Sequence, residues 1–390
     1  MLAYHFTEMP YPFLPDDAEE RYGALRVTLP NRFFDPKKGH ELYNRYLDEY
    51  EYADELGLNI MLNEHHATAT CLDVNVSISA AALIRRTRRA KIAIVGYPLP
   101  HRNPVQVAED AAMLDVISGG RIICGFVRGV GTEIHPANTN PAQTRERMEE
   151  AHDLILRAWT AQEVFNWEGK HYHFRYVNPW PRPYQQPHPP VWITGTQVSG
   201  AAWVADHHYT FCAFLSSYEQ TDALFNAYRA RCREMQYPEP GPERFAYLGL
   251  TYTAETEKQA EEVGKKLLWY LHRKRPVGFF APNGFLPPEG LANFYDPEKM
   301  KRYTRSWEEL KAEGVVISGT PKTVIEKIKY LHERCGVGHL LMMNQAGFMT
   351  AEETRRSMEL FAKEVYPAIR DLGEPQVSLS VAAAHDPPPI

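Results

Sequence analysis

Short apolar runs alternate with long amphipathic segments along this sequence, and that alternation restricts the fold more than any other feature. Strands are predicted at Leu2–Phe6, Asn59–Asn63, Lys91–Val95, Arg121–Gly125, Val191–Gly195, Tyr209–Phe214, Phe245–Thr251 and His339–Met343, with Val315–Ser318 as a short strand or turn. Helices are predicted at Gly39–Leu56, Val76–Arg86, Pro104–Ile117, Ala142–Thr160, Val198–Ala205, Tyr218–Met235, Thr256–His272, Pro321–Cys335 and Ala351–Asp371. In the first of these, Leu42, Tyr46, Tyr50, Ala53 and Leu56 recur at helical spacing and Gly57 stops the run. A strand-then-helix order implies parallel strands, because each helix carries the chain back across the sheet. About eight such repeats point to a closed (β/α)8 TIM barrel, with an open doubly wound sheet as the alternative.

Two stretches break the pattern. We read 1–371 as a single barrel domain with insertions at 163–190 and 274–305, and 372–390 as a flexible tail. The first insertion contains HYHFRYVNPWPRPYQQPHPP and reads as a β-ribbon followed by an extended proline loop. The second is rich in Gly, Pro, Phe and Tyr, a mixture that suits a lid over a barrel mouth or plain surface padding.

Composition excludes several roles. The 390 residues are 44% hydrophobic and 24% charged, the make-up of an ordinary globular protein. A formal net charge of -6 gives no basic field to recruit nucleic acid or an anionic membrane. The cluster Arg85, Arg86, Arg88 and Arg89 is short and reads as a solvated helix end. No apolar run is long enough to span a bilayer, and MLAYHFTEMPYPF lacks the basic and apolar regions of a signal peptide. Cys71, Cys124, Cys212, Cys232 and Cys335 lie far apart and form no CxxC pair, which suggests neither a disulfide framework nor a zinc site and suits a reducing cytoplasm.

Barrel enzymes carry their chemistry at the C-terminal ends of strands. One such end is Asn63-Glu64-His65-His66. Adjacent histidine side chains diverge, so at most one reaches a given reacting atom; the pair shuttles protons or is a structural hydrogen-bonded pair, and no spacing indicates a third ligand for a metal. A second end places Arg128 between Gly125 and Gly129, where it grips a phosphate or satisfies rim carbonyls; the spacing is not that of a dinucleotide motif. A third runs Val191–Gly195 into Thr196-Gln197-Val198-Ser199-Gly200, which forms an anion pocket at a helix start or an ordinary helix cap.

The segments EYADELGLNIMLNEHH and IAIVGYPLPHRNPVQVAEDAAMLDVISGGRIICGFVRG resemble the bacterial-luciferase-like flavin-dependent monooxygenases. That family's signature, AEDxxxLDxxSxGR and then G-x-x-RG, stands here as Ala108-Glu109-Asp110, Leu114-Asp115, Ser118, Gly120-Arg121 and Arg128-Gly129. The resemblance covers roughly the first 210 residues and continues weakly to Ala368. It implies a barrel that binds reduced FMN, or the deazaflavin F420 in some branches, at its C-terminal rim. It implies that His65 is the catalytic group managing protons near the flavin, that Arg128 and Arg145 hold the flavin phosphate, and that Thr196, Gln197 and Gly200 contact the same phosphate. It also implies a non-prolyl cis peptide at Ser79-Ala80 against the flavin ring. Val127 stands where the luciferase α-subunit has a reactive cysteine, which argues against light emission; Cys124 lies three residues earlier and is no substitute.

The activity so implied is that of a two-component monooxygenase. It takes FMNH2 from a separate NAD(P)H:flavin reductase, uses O2, and oxygenates a mostly apolar organic substrate, as a homodimer and without a metal. An F420-dependent oxidoreductase that transfers hydride and a non-catalytic flavin-binding protein are the alternatives; retention of His65 with Arg128 argues against the last.

Overall fold

A computed structural model of the chain describes residues 1–195, 197–272 and 304–373. The strands are β1 (Leu2–Thr7), β2 (Asn59–Leu62), β3 (Ile92–Pro98), β4 (Ile122–Val127), β5 (Phe165–Glu168), β6 (His173–Val177), β7 (Val191–Thr194), β8 (Thr210–Phe214), β9 (Phe245–Thr253), β10 (Val316–Gly319) and β11 (His339–Gln345). Eight of them pair in the order β9-β11-β1-β2-β3-β4-β7-β8, and a further pairing of β8 with β9 closes the ring. The barrel is therefore closed, and the open-sheet alternative is set aside. β10 stands outside the ring and pairs with Leu250–Thr253 of β9, beyond the Phe245–Leu248 stretch that faces β8. β5 and β6 form the antiparallel ribbon expected in the first insertion, with Phe165 opposite Val177. Most of the second insertion, 274–303, and most of the tail, 374–390, lie outside the described residues.

Strand geometry divides the core in two. Successive side chains point to opposite faces of a strand. Ile92 and Ile94 of β3 accordingly join the layer beneath the helices, while Ala93 and Val95 join the barrel interior. The helix at Pro36–Glu55 begins where Asp35 accepts a hydrogen bond from Lys37 N–H at 2.8 Å and buries Leu42, Tyr46, Tyr50 and Ala53 on one face. Its Tyr50 hydroxyl reaches the strands, 3.2 Å from the Thr7 carbonyl and 3.0 Å from the Met61 carbonyl. That one group ties the ends of β1 and β2 to the helix between them.

Much of the AEDxxxLDxxSxGR signature is scaffolding. Gly119 and Gly120, at φ 67° and 86°, turn the chain after the helix at Pro104–Ser118. Arg121 then donates to Ile84 O, Ala90 O and the Thr87 hydroxyl, pinning the preceding helix end to the start of β4. Asp115 accepts from Gln185 N–H and Nε2, both at 2.8 Å, and so anchors the proline loop. Asp110 accepts from Ser77 Oγ at 2.9 Å. Among the described residues no helix is long and apolar enough to cross a membrane, and the five cysteines are buried and unpaired.

Tyr50→Phe removes only the hydroxyl. It takes away the acceptor of Thr7 N–H and the one proton that the Thr7 and Met61 carbonyls share, at a cost of about 1–3 kcal/mol. Urea unfolding should show a lowered midpoint with an unchanged slope. An unchanged midpoint would mean that Tyr50 does not hold the two strand ends.

Candidate active site

The C-terminal ends of the strands surround a cavity of about 300 Å3. Its walls are mainly apolar, with Phe6, Val95, Val127, Phe214, Leu248 and Met343 among them, and its polar groups come mostly from the segments that follow β1, β2 and β4, with Thr194, Gln220, Tyr270 and Arg305 from elsewhere. Two bare glycines set its width on one side. A Cβ on Gly96 would lie 2.3 Å from the Gly125 carbonyl oxygen, so β3 and β4 approach here only without side chains.

His65 lines this cavity, two residues beyond Asn63 at the end of β2. Its backbone N–H donates to Asp73 O at 3.0 Å, which fixes the turn. Its Nδ1 donates to Glu133 Oε1 at 2.8 Å, and its Nε2 lies 3.8 Å from Glu8 Oε2. Glu133 belongs to the short helix Gly131–Ala137 after β4 and is buried. Val130 N–H donates to its Oε2 at 2.7 Å and Thr132 Oγ1 to its Oε1 at 2.5 Å. Burial alone would raise the Glu133 carboxyl, but the His65 charge and the hydrogen bonds from His65, Thr132 and Val130 outweigh it and hold the group at about 2. Glu133 thus fixes which ring nitrogen of His65 carries the held proton and leaves Nε2 toward the cavity acid.

The neighbouring histidine faces elsewhere, as adjacent side chains must. His66 Nε2 donates to Glu64 Oε1 at 3.1 Å, and that hydrogen bond holds its imidazole above the usual range. Glu64 Oε2 in turn accepts from Arg102 at 2.6 Å and from Val76 N–H at 3.1 Å. His66 and Glu64 therefore belong to a network that fixes the start of the helix Val76–Arg86. Glu8 is buried at the end of β1, accepts from Asn63 Nδ2 at 2.9 Å and shares a hydrogen bond with Tyr270. Sequence reasoning missed Glu8, Glu133 and Tyr270, because only the barrel's curvature brings the turns after different strands together.

Arg128 also lines the cavity, exposed at its rim beside Gly129, whose φ of 75° permits the turn. His101 Nε2 holds the turn by donating to the Arg128 carbonyl at 3.0 Å. Burial and the like charge of Arg145 both push the Arg128 guanidinium below its ordinary value. Arg145 is exposed at the start of the helix Thr144–Thr160, and neither arginine has an acidic partner among the described residues. Thr194 and Gly195, at the end of β7 beside β4, line the adjoining part of the rim. Gln197 is exposed and Gly200 half-buried in the single turn Val198–Gly200, while Thr196 lies outside the described residues. Gln197 caps that turn with no side-chain hydrogen bond.

One expectation is corrected. The non-prolyl cis peptide stands at Val95–Gly96 in β3, not at Ser79-Ala80. Ser79 and Ala80 lie inside the helix Val76–Arg86, whose repeating hydrogen bonds need trans peptides throughout. Ala80 is fully buried beneath that helix, and the Ser79 hydroxyl is engaged by Asp73. Neither lines the cavity, whereas Val95 and Gly96 do.

The depressed Glu133 carboxyl links stability to pH. Because it lies below the ordinary carboxylate range, the His65–Glu133 pair contributes stability that is fully present above that range and is lost as the pH falls toward 2. In His65→Ala the burial cost remains without its main compensation, so the stability deficit against the parent should be largest at neutral pH and shrink on acidification. Urea midpoints across the acidic range measure it. A deficit that does not change with pH would mean that His65 does not hold the Glu133 charge.

Comparison with known proteins bears on the family of the chain. The family profile for luciferase-like monooxygenases matches residues 26–339. The oxygenase component of a flavin-dependent trigonelline monooxygenase from Acinetobacter baylyi is 24% identical over 357 residues, covering 87% of this chain and 93% of that protein. The oxygenating constituent of 3,6-diketocamphane monooxygenase from Pseudomonas putida, solved with FMN, shares the fold with a TM-score of 0.70 at 19% identity, over 94% of this chain and 98% of its own. An F420-dependent secondary alcohol dehydrogenase shares it with a TM-score of 0.66 at 16% identity, over 84% and 96%. The chain belongs to the luciferase-like monooxygenase family and is a flavin-dependent monooxygenase.

Proposed function

We propose that the protein is the oxygenase component of a two-component system. A separate NAD(P)H:flavin reductase supplies FMNH2, and one atom of O2 enters an organic substrate while the other leaves as water. The observation that carries this reading is Arg128 at the rim of an apolar cavity that holds His65, with Arg145 near enough for its charge to act on the Arg128 guanidinium and neither with an acidic partner among the described residues. Such a pair is poised for a dianionic phosphate. The turn carrying Thr196, Gln197 and Gly200 follows directly on Thr194 and Gly195 and would add contacts to the same phosphate. When bound, the reduced flavin supplies the electrons that divide O2.

The chain's own groups supply position, dryness and a proton site. Phe6, Val127, Phe214 and Leu248 keep water from the reacting atoms. His65 gives or takes a proton at Nε2, with Nδ1–H fixed by Glu133. The walls favour a substrate with an apolar body. A homodimer completes the reading by family likeness. The F420 alternative uses the same rim, since both cofactors carry a phosphate there, and the measurements below separate the two.

Anaerobic titration should show FMNH2 bound more tightly than FMN, with no effect of added NADH. Arg128→Met and Arg145→Met should each weaken FMNH2 by about tenfold or more, and the double variant by less than the product, because both touch one phosphate. Binding of F420H2 without FMNH2 would replace this reading by the hydride-transfer one. Independent losses would place one arginine elsewhere. His65→Ala should keep FMNH2 binding and lower product per flavin oxidised by about 10²-fold, whereas His66→Ala, which faces Glu64, should be milder. Unchanged coupling in His65→Ala would remove the imidazole from the reaction.

A further inference from the structure

One cavity cation is not explained by the flavin site. Arg26 lies in the loop after the short helix Ala18–Tyr22, is only 4% exposed, and lines the cavity. Its Nε and Nη2 are buried with no hydrogen-bond partner among the described residues. The backbone around it is pinned: Arg26 bridges to Thr68, Val27 N–H donates to Ala67 O at 2.6 Å, and Ala69 N–H donates to Leu25 O at 3.0 Å. The backbone at Arg26 is thus fixed by main-chain bonds, while its guanidinium meets no anion among the described residues.

The cavity's acids have other partners. Glu133 is taken by His65, Thr132 and Val130; Glu64 by Arg102, His66 and Val76; Glu8 by Asn63 and Tyr270. No acid lies within ion-pair distance of Arg26 among the described residues. A buried guanidinium with unmet donors is strongly unfavourable unless an anion completes it. Its planar fork matches a carboxylate through two parallel hydrogen bonds. Glu8 in the same cavity repels a dianion more than a monoanion, which favours a carboxylate over a phosphate.

We propose that Arg26 is the carboxylate anchor of the substrate site: the molecule oxygenated here is an organic acid, gripped at its carboxylate by Arg26 while its apolar body fills the cavity beneath the flavin rim. The word substrate rests on the monooxygenase reading; the anion site itself does not. Two anion sites then divide the work, with Arg128 and Arg145 taking the cofactor and Arg26 the acid.

Equilibrium binding to the full-length protein, in chloride-free buffer, tests this with two matched pairs of probes: benzoate against benzamide, and octanoate against octanamide. At least one carboxylate should bind about tenfold or more tightly than its amide, and Arg26→Met should abolish that preference while binding FMNH2 as the parent does. Inorganic phosphate should not compete with the carboxylate at Arg26. Absence of any carboxylate preference in the parent, its persistence in Arg26→Met, or displacement by phosphate would each overturn the proposal. So would a tenfold loss of FMNH2 affinity in Arg26→Met, which would assign Arg26 to the cofactor. The parent's preference needs no variant, so a poorly folding substitution leaves the test decisive. If the carboxylate preference appears but FMNH2 does not bind, the anion site stands and the monooxygenase reading falls.

Discussion

Burial of three carboxylates at the barrel mouth is the constraint on which the rest of this structure depends. Glu8, Glu64 and Glu133 are each almost wholly removed from water. A buried charge persists only when hydrogen-bonded and compensated, so each acid dictates its surroundings. Glu64 requires Arg102 and the start of a helix; Glu8 requires Asn63 and Tyr270; Glu133 requires His65 and the turn at Val130. These links cross between the turns after β1, β2 and β4, and they hold His65 rigid at the centre.

The fold was legible because its signals are local. The spacing of Leu42, Tyr46 and Tyr50 specifies a helix, and the structure places one at Pro36–Glu55; Val76–Arg86 and Pro321–Cys335 coincide with their expected bounds. Strand ends were less legible. β3 runs to Pro98 and β9 to Thr253, beyond their expected ends, because pairing with neighbouring strands extends them past the apolar run. β10 reads from the sequence as a short strand or turn; its pairing with β9 alone depends on where β8 ends, which no single segment encodes.

The site was legible only in part. Motif residues at strand ends, His65 and Arg128, lie on the cavity as the barrel rule requires. The residues that give them meaning were not visible, since Glu133 stands 68 positions from His65 and its importance comes from one hydrogen bond. Arg26 carries no motif at all and becomes notable only when the structure buries it with no acid in ion-pair distance among the described residues. The expected position of the cis peptide failed for a simple reason: Ser79-Ala80 falls inside a helix capped by Asn75, whereas the close approach of two backbones occurs at Gly96 and Gly125.

On the proposed reading these features make a mouth with an apolar centre, a proton site at His65 and two separate anion sites. In the proposed reading this division lets cofactor and acid meet at their reacting ends while their charged ends stay apart. A crystal structure of the protein with FMN tests this most directly. The flavin phosphate should lie between Arg128 and Arg145, with the cavity at His65 and Arg26 left for substrate. A phosphate seated on Arg26, or a flavin bound outside the barrel mouth, would contradict it.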